Sequence, residues 1–71
     1  MTDRELLTRT AKQIEQARKA NQLSQLCVAV RAGVAPNTVY RIEAGCDVRM
    51  TTLIRVAEAA GLSLTFQIRN I

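Results

Sequence analysis

The sequence predicts an all-α domain of four helices with one β-strand appended at its C-terminal end, and three features of the residue order predict it. Apolar residues recur three and four positions apart between Leu7 and Ala60, the spacing that gathers them on one side of a helix. Ser24, Gly33, Pro36, Gly45 and Gly61 fall between these runs, where helix starts and stops need such residues. Beyond Gly61 the apolar period drops to two, that of a strand with one covered face.

The first helix opens on Thr2-Asp3-Arg4-Glu5, a capping-box pattern in which a hydroxyl and a carboxylate satisfy backbone donors at a helix start. Leu7, Ala11, Ile14 and Ala17 form its apolar stripe, and Arg9, Lys12, Gln16 and Lys19 lie on other faces, to about Ala20. Asn21-Gln22-Leu23 breaks the pattern, and Ser24 is placed to cap a short second helix over 25–31. Gly33 ends it, because glycine adopts the left-handed conformation that closes many helices.

Pro36 suits the first position of a third helix, near residues 36 to 44: its missing N–H would have had no intrahelical partner there. Val39 and Ile42 point inward, which leaves Asn37, Thr38, Tyr40 and Arg41 facing out until Gly45 stops the helix. Residues 45–49 read as a loop, and a fourth helix over about 50–60 carries Leu53, Val56, Ala57 and Ala60 inward before Gly61. Leu62, Leu64, Phe66 and Ile68 then alternate with Ser63, Thr65, Gln67 and Arg69. A lone strand leaves its ladder unsatisfied, so its simplest partner is the same strand in a second copy.

The 71 residues allow one domain. A chain this short buries only about 60% of the surface its unfolded form exposes, so oligomerisation is expected to extend the core. Ten Lys and Arg against six Asp and Glu give a net charge of +4. The basic residues are mostly Arg, which favours a polyanion and suits bidentate contacts to phosphate and guanine, although charge alone is equally that of a soluble basic protein.

Cys27 and Cys46 lie 19 positions apart without a CxxC pair, and the chain has no histidine, so no metal set is expected. Cys27, inside an apolar run, reads as a small hydrophobe, and both thiols as reduced. No apolar stretch nears the roughly 18 residues of a membrane span, and the charged start MTDRELLTRT is no signal peptide. A cytoplasmic location is therefore expected, with no membrane contact. Without histidine, paired cysteines or paired carboxylates the chain offers no nucleophile, base or cofactor site, and an enzyme is not expected.

Two short helices joined by a turn of about four residues, with a polar face on the second, form the helix-turn-helix arrangement that reads DNA. Leu23-Ser24-Gln25, Val28-Ala29, Ala32-Gly33-Val34, Thr38-Val39, Arg41-Ile42-Glu43, Gly45, Thr52-Leu53, Arg55-Val56-Ala57 and Gly61-Leu62 stand in one register. This run, covering residues 10 to 62, resembles the Cro/C1-type, or Xre-type, helix-turn-helix family of phage repressors. The resemblance implies a λ-repressor-like fold, with residues 1–62 as the DNA-binding domain. The tail, residues 63–71, resembles the C-terminal dimerisation strand of the HipB-like branch, whose members are often antitoxins that repress their own operon.

The resemblance places base reading on Pro36, Asn37, Tyr40 and Arg41. Pro36 departs from the polar or basic residue relatives often carry there, so its contact is expected to be weak or apolar. Arg41 suits the O6 and N7 of guanine, worth ~1–3 kcal/mol of discrimination, and the Asn37 amide suits adenine. The blander alternatives are a solvated Asn37 and a Tyr40 packed beside its helix. Ser24, Gln25 and Thr38 carry over as phosphate contacts, with a plain N-cap as the alternative for Ser24. Arg31 and Arg49 join them on charge grounds, or are simply solvated. Arg18 and Glu43 stand where the family often sets a partly buried ion pair, and a structural role is expected because an unpaired Glu43 would repel phosphate.

The expected molecule is a homodimer joined through Leu62, Leu64, Phe66 and Ile68, with help from helix four. Its two recognition helices would meet double-stranded DNA in major grooves about 34 Å apart, and so require an inverted repeat. Repression by promoter occlusion follows by default. The rival readings are an antitoxin-type module whose main partner is a toxin protein, against which the lack of a long tail after the strand counts mildly, and an adaptor that has lost DNA binding.

Overall fold

The computed structural model describes residues 2–70 and builds four helices: α1 (Asp3–Ala20), α2 (Gln25–Ala32), α3 (Pro36–Glu43) and α4 (Met50–Ala59). Met1 and Ile71, the outer ends of the expected segments 1–62 and 63–71, lie outside the described residues. The Thr2 hydroxyl accepts from the Glu5 N–H at 3.1 Å, and Asp3 and Glu5 at the start with Arg18 and Lys19 at the end suit the α1 dipole. Ser24 caps α2 through the Cys27 N–H at 3.0 Å. The helices start where the sequence places them and end within a residue or two of expectation.

All four helices end the same way. Two or three residues past each helix, an N–H is donated to a carbonyl five positions back: Leu23 to Arg18, Val34 to Ala29, Cys46 to Arg41 and Leu62 to Ala57, at 2.9–3.0 Å. The residue before each donor is left-handed. Three of these are Gly33, Gly45 and Gly61, with φ of 70°, 84° and 100°, and the fourth is Gln22 at 57°. This Schellman closure satisfies the orphan carbonyls and turns an apolar residue inward; Leu23, Val34 and Leu62 all pack against the core.

The core draws on every helix: Ile14 from α1, Val28 and Ala29 from α2, Val39 and Ile42 from α3, Val56 and Ala57 from α4, and Ala60 just beyond. α2 packs on both α3 and α4, and α3 also meets α1. The stripe chosen by period 3.6 is therefore the buried one, and the side of α3 opposite Val39 and Ile42 is left outside.

The C-terminal segment departs from expectation. Among the described residues no strand forms, and 62–70 run without regular structure; a ladder needs a second strand, and one copy of the sequence supplies only one. The face expected to serve a dimer is also divided. Leu62 and Leu64 pack against the chain's own core, while Phe66 is 55% and Ile68 99% exposed.

Candidate nucleic-acid interface

The site begins with the turn of residues 33–35 between α2 and α3. Ala35 is extended (φ −65°, ψ 145°) and offers no side-chain cap to α3, and Pro36 takes the first helical position. The extended conformation is what a residue before proline prefers, so the Ala35-Pro36 step itself redirects the chain. Val39 and Ile42, 0% and 3% exposed, anchor the inner side of α3. Pro36, Asn37, Tyr40 and Arg41 all stand exposed, and Thr38 is half-buried beside them. Both α3 and α4 start without a side-chain cap, which leaves backbone N–H groups at their positive ends.

Beneath this surface lies a polar network. Arg18 donates from Nε to Glu43 Oε2 at 2.7 Å and from Nη2 to Glu43 Oε1 at 3.0 Å, and its Nη1 reaches the Leu23 carbonyl at 2.9 Å. Gln25 Nε2 donates to the same Glu43 Oε1 at 3.0 Å. The Arg18 and Glu43 side chains are only 11% and 3% exposed. Burial pushes the Glu43 carboxyl up, but hydrogen bonds from Arg18 and Gln25 and the charges of Arg18 and Lys19 outweigh it and hold the group below its ordinary value. The hydrogen bond to Glu43 raises Arg18 against the opposing effect of burial. Three elements, α1, α2 and α3, are thereby fixed at one charged joint.

Existing hydrogen bonds change the chemistry of two expected phosphate ligands. One Gln25 amide hydrogen is held by Glu43, leaving the second and the carbonyl for any outside contact. The Ser24 oxygen accepts from Cys27, leaving its second lone pair and its own hydrogen for any outside contact. Arg31 and Arg49 are exposed, but they are not gathered with α3: Arg31 shares a shallow cleft with Asn21, Glu58 and Gly61, and Arg49 precedes α4. Thr38 and Arg41 do share a small cleft, and Asp47 lines it with them. Sequence reasoning did not single out Asp47; a lone loop carboxylate gives no signal until the loop is folded back on α3.

No described helix is long and apolar enough to cross a membrane. A family model described as helix-turn-helix matches residues 14–67. No curated protein and no solved structure matches the chain.

Proposed function

The chain belongs to the Cro/C1-type helix-turn-helix family of DNA-binding regulators, and from that premise we propose that it is a cytoplasmic, homodimeric repressor that occludes a promoter carrying an inverted repeat. The observation that carries this reading is the two-sidedness of α3: Val39 and Ile42 are buried while Asn37, Tyr40 and Arg41 stand out on the other side. Arg41 reads guanine through its planar fork, Asn37 reads adenine, and Tyr40 and Pro36 supply apolar contact. Ser24, Gln25 and Thr38 hold phosphates and set the depth of α3, and Arg49 and Arg31 add phosphate contacts away from it. The net charge of +4 supports that attraction.

Dimerisation runs through the C-terminal segment, where a second copy supplies the missing ladder partner for 63–70, in the manner of the HipB-like branch. Two α3 helices related by a twofold axis then meet half-sites about 34 Å apart. Selection of bound duplexes from a random library tests this. A palindromic motif with half-site centres about one helical turn apart is the expected result; enrichment of no motif, or of a single unrepeated one, refutes it.

One observation favours a second role. Leu26 and Val30, one turn apart on α2, are 59% and 73% exposed, and an aliphatic pair gains nothing from phosphates. A protein partner covering that pair would make the chain an antitoxin-type module that represses its own operon secondarily. Leu26→Ser would then weaken toxin neutralisation while leaving duplex affinity unchanged, and a variant that neutralises normally would dismiss the role.

A further inference from the structure

A second apolar surface lies between the first turns of α1 and the start of α4. Leu6, Met50 and Phe66, each a little over half exposed, line a groove of about 470 Å³, and Asp3 and Asp47 line it with them. Ile68 continues the alternation of Leu64 and Phe66 but is 99% exposed, so it has run off its own protomer's apolar surface. In its own protomer Leu64, Thr65, Phe66 and Gln67 form one wall of the groove, and Ile68 lies beyond them.

Surface area and charge argue for a second copy of the chain as its occupant. The chain exposes 5451 Å², whereas a compact monomer of its 7.8 kDa would expose about 4,400 Å². The excess of about 1,000 Å² is close to the ~800 Å² per partner of a standard interface. Charge adds direction, since Arg69 is the one charged residue in 62–70 and the groove carries two carboxylates, Asp3 and Asp47.

We propose that this groove seats the C-terminal segment of a second copy, with the partner's Ile68 entering between Leu6, Met50 and Phe66 and the partner's Arg69 facing Asp3 and Asp47. The exchange is reciprocal, as a twofold axis demands. It rests on the homodimer of the proposed function and makes α1 half of the interface, so each C-terminal segment is held by its partner's helices as well as by its partner's strand. The half-burial of Leu62 and Leu64 on their own core fixes where each segment leaves its protomer.

Sedimentation equilibrium on the full chain tests the groove, using Leu6→Glu and Met50→Glu. Both positions are exposed in the protomer, and far-UV circular dichroism checks that the helices persist. Each is expected to raise the dimer dissociation constant about tenfold or more, because a carboxylate must be desolvated opposite Ile68. Arg69→Glu weakens the dimer, and Asp47→Arg added to it restores affinity. Isotope-filtered NOEs in a mixed-label sample of the unaltered protein, between Leu6 or Met50 methyls of one copy and Ile68 of the other, decide the matter even if a variant fails to fold. An unaltered dimer with no such NOEs and with dissociation constants unchanged by Leu6→Glu and Met50→Glu overturns the groove and leaves strand pairing standing. A chain that is monomeric at every concentration overturns the dimer itself.

Discussion

Arg18 Nε lies 2.7 Å from Glu43 Oε2 across 25 residues of chain, and this pair joins the first helix to the helix proposed to read DNA. Its partners are complete: Arg18 also holds the Leu23 carbonyl and Glu43 also receives Gln25. Removing one charge strands the other, which typically costs about 3–5 kcal/mol, whereas replacing both with apolar residues is often neutral. Glu43→Ala should therefore lower stability by about 3 kcal/mol or more, and Arg18→Met with Glu43→Leu by much less. Urea unfolding of the three proteins checks it, and a Glu43→Ala protein as stable as its parent would show the pair to be dispensable for folding.

The same pair sets an acid limit. Glu43 titrates below its ordinary 4.5 in the folded chain, so the folded state binds this proton less readily than the unfolded one. Its contribution is complete above about pH 4.5 and is lost as pH falls through the lower, folded value. Arg18 is raised and stays charged throughout. The stability difference between the unaltered chain and Glu43→Gln should shrink between about pH 5 and the folded value, because the substituted residue cannot titrate. A difference that stays constant down to about pH 3 would remove Glu43 from the acid response.

Arg41 is exposed on α3 beside Asn37 and Tyr40, so its loss should leave the fold intact. Arg41→Ala is expected to cost ~1–3 kcal/mol of discrimination at one base pair of each half-site, with Arg41→Lys retaining affinity better than selectivity because an ammonium lacks the planar fork. Titration against the selected operator and single-base variants measures this. Equal discrimination before and after the substitution would move base reading elsewhere on the surface.

Arg49 separates positioning from reading. It is exposed at the start of α4, and a phosphate contact there carries no sequence information. Arg49→Gln should weaken binding to operator and random duplex alike and lower the slope of log affinity against log salt by about one. An unchanged slope would make Arg49 a solvated loop charge.

What was legible in the sequence follows from which forces act locally. Helix starts at Thr2 and Ser24 and stops at Gly33, Gly45 and Gly61 were readable because each depends on one residue's backbone or side-chain chemistry. The exposed side of α3 was readable because burial of Val39 and Ile42 fixes everything else on a two-turn helix. The bond from Gln25 to Glu43 and the approach of Asp47 to the cleft of Arg41 were not, since both depend on how α2, α3 and the following loop stack. The C-terminal alternation was visible, but period two identifies a covered face without saying what covers it. Here Leu62 and Leu64 use their own core and Phe66 and Ile68 do not.

Gln22 is the closure the sequence hid, and it makes the last prediction. Gln22 holds the left-handed turn after α1 at φ 57°, a conformation that costs an L-residue roughly 1–2 kcal/mol. Its side chain is exposed, so Gln22→Gly sacrifices no packing. The strain released exceeds the ~0.5–1 kcal/mol that glycine adds to the entropy of the unfolded chain, leaving a gain of up to about 1 kcal/mol, or roughly 4–8 °C in Tm for a domain of this size. Gly61→Ala runs the other way. At φ 100° its new Cβ would sit 2.5 Å from Asn21 Nδ2, the group that donates to the Ala17 and Ala60 carbonyls at 3.0 and 3.1 Å and ties the end of α1 to the end of α4. Backbone strain and the displaced amide together should cost about 2–3 kcal/mol. Differential scanning calorimetry of both variants decides it: a Gln22→Gly protein that melts below its parent would mean that the glutamine side chain stabilises the turn more than its backbone strains it.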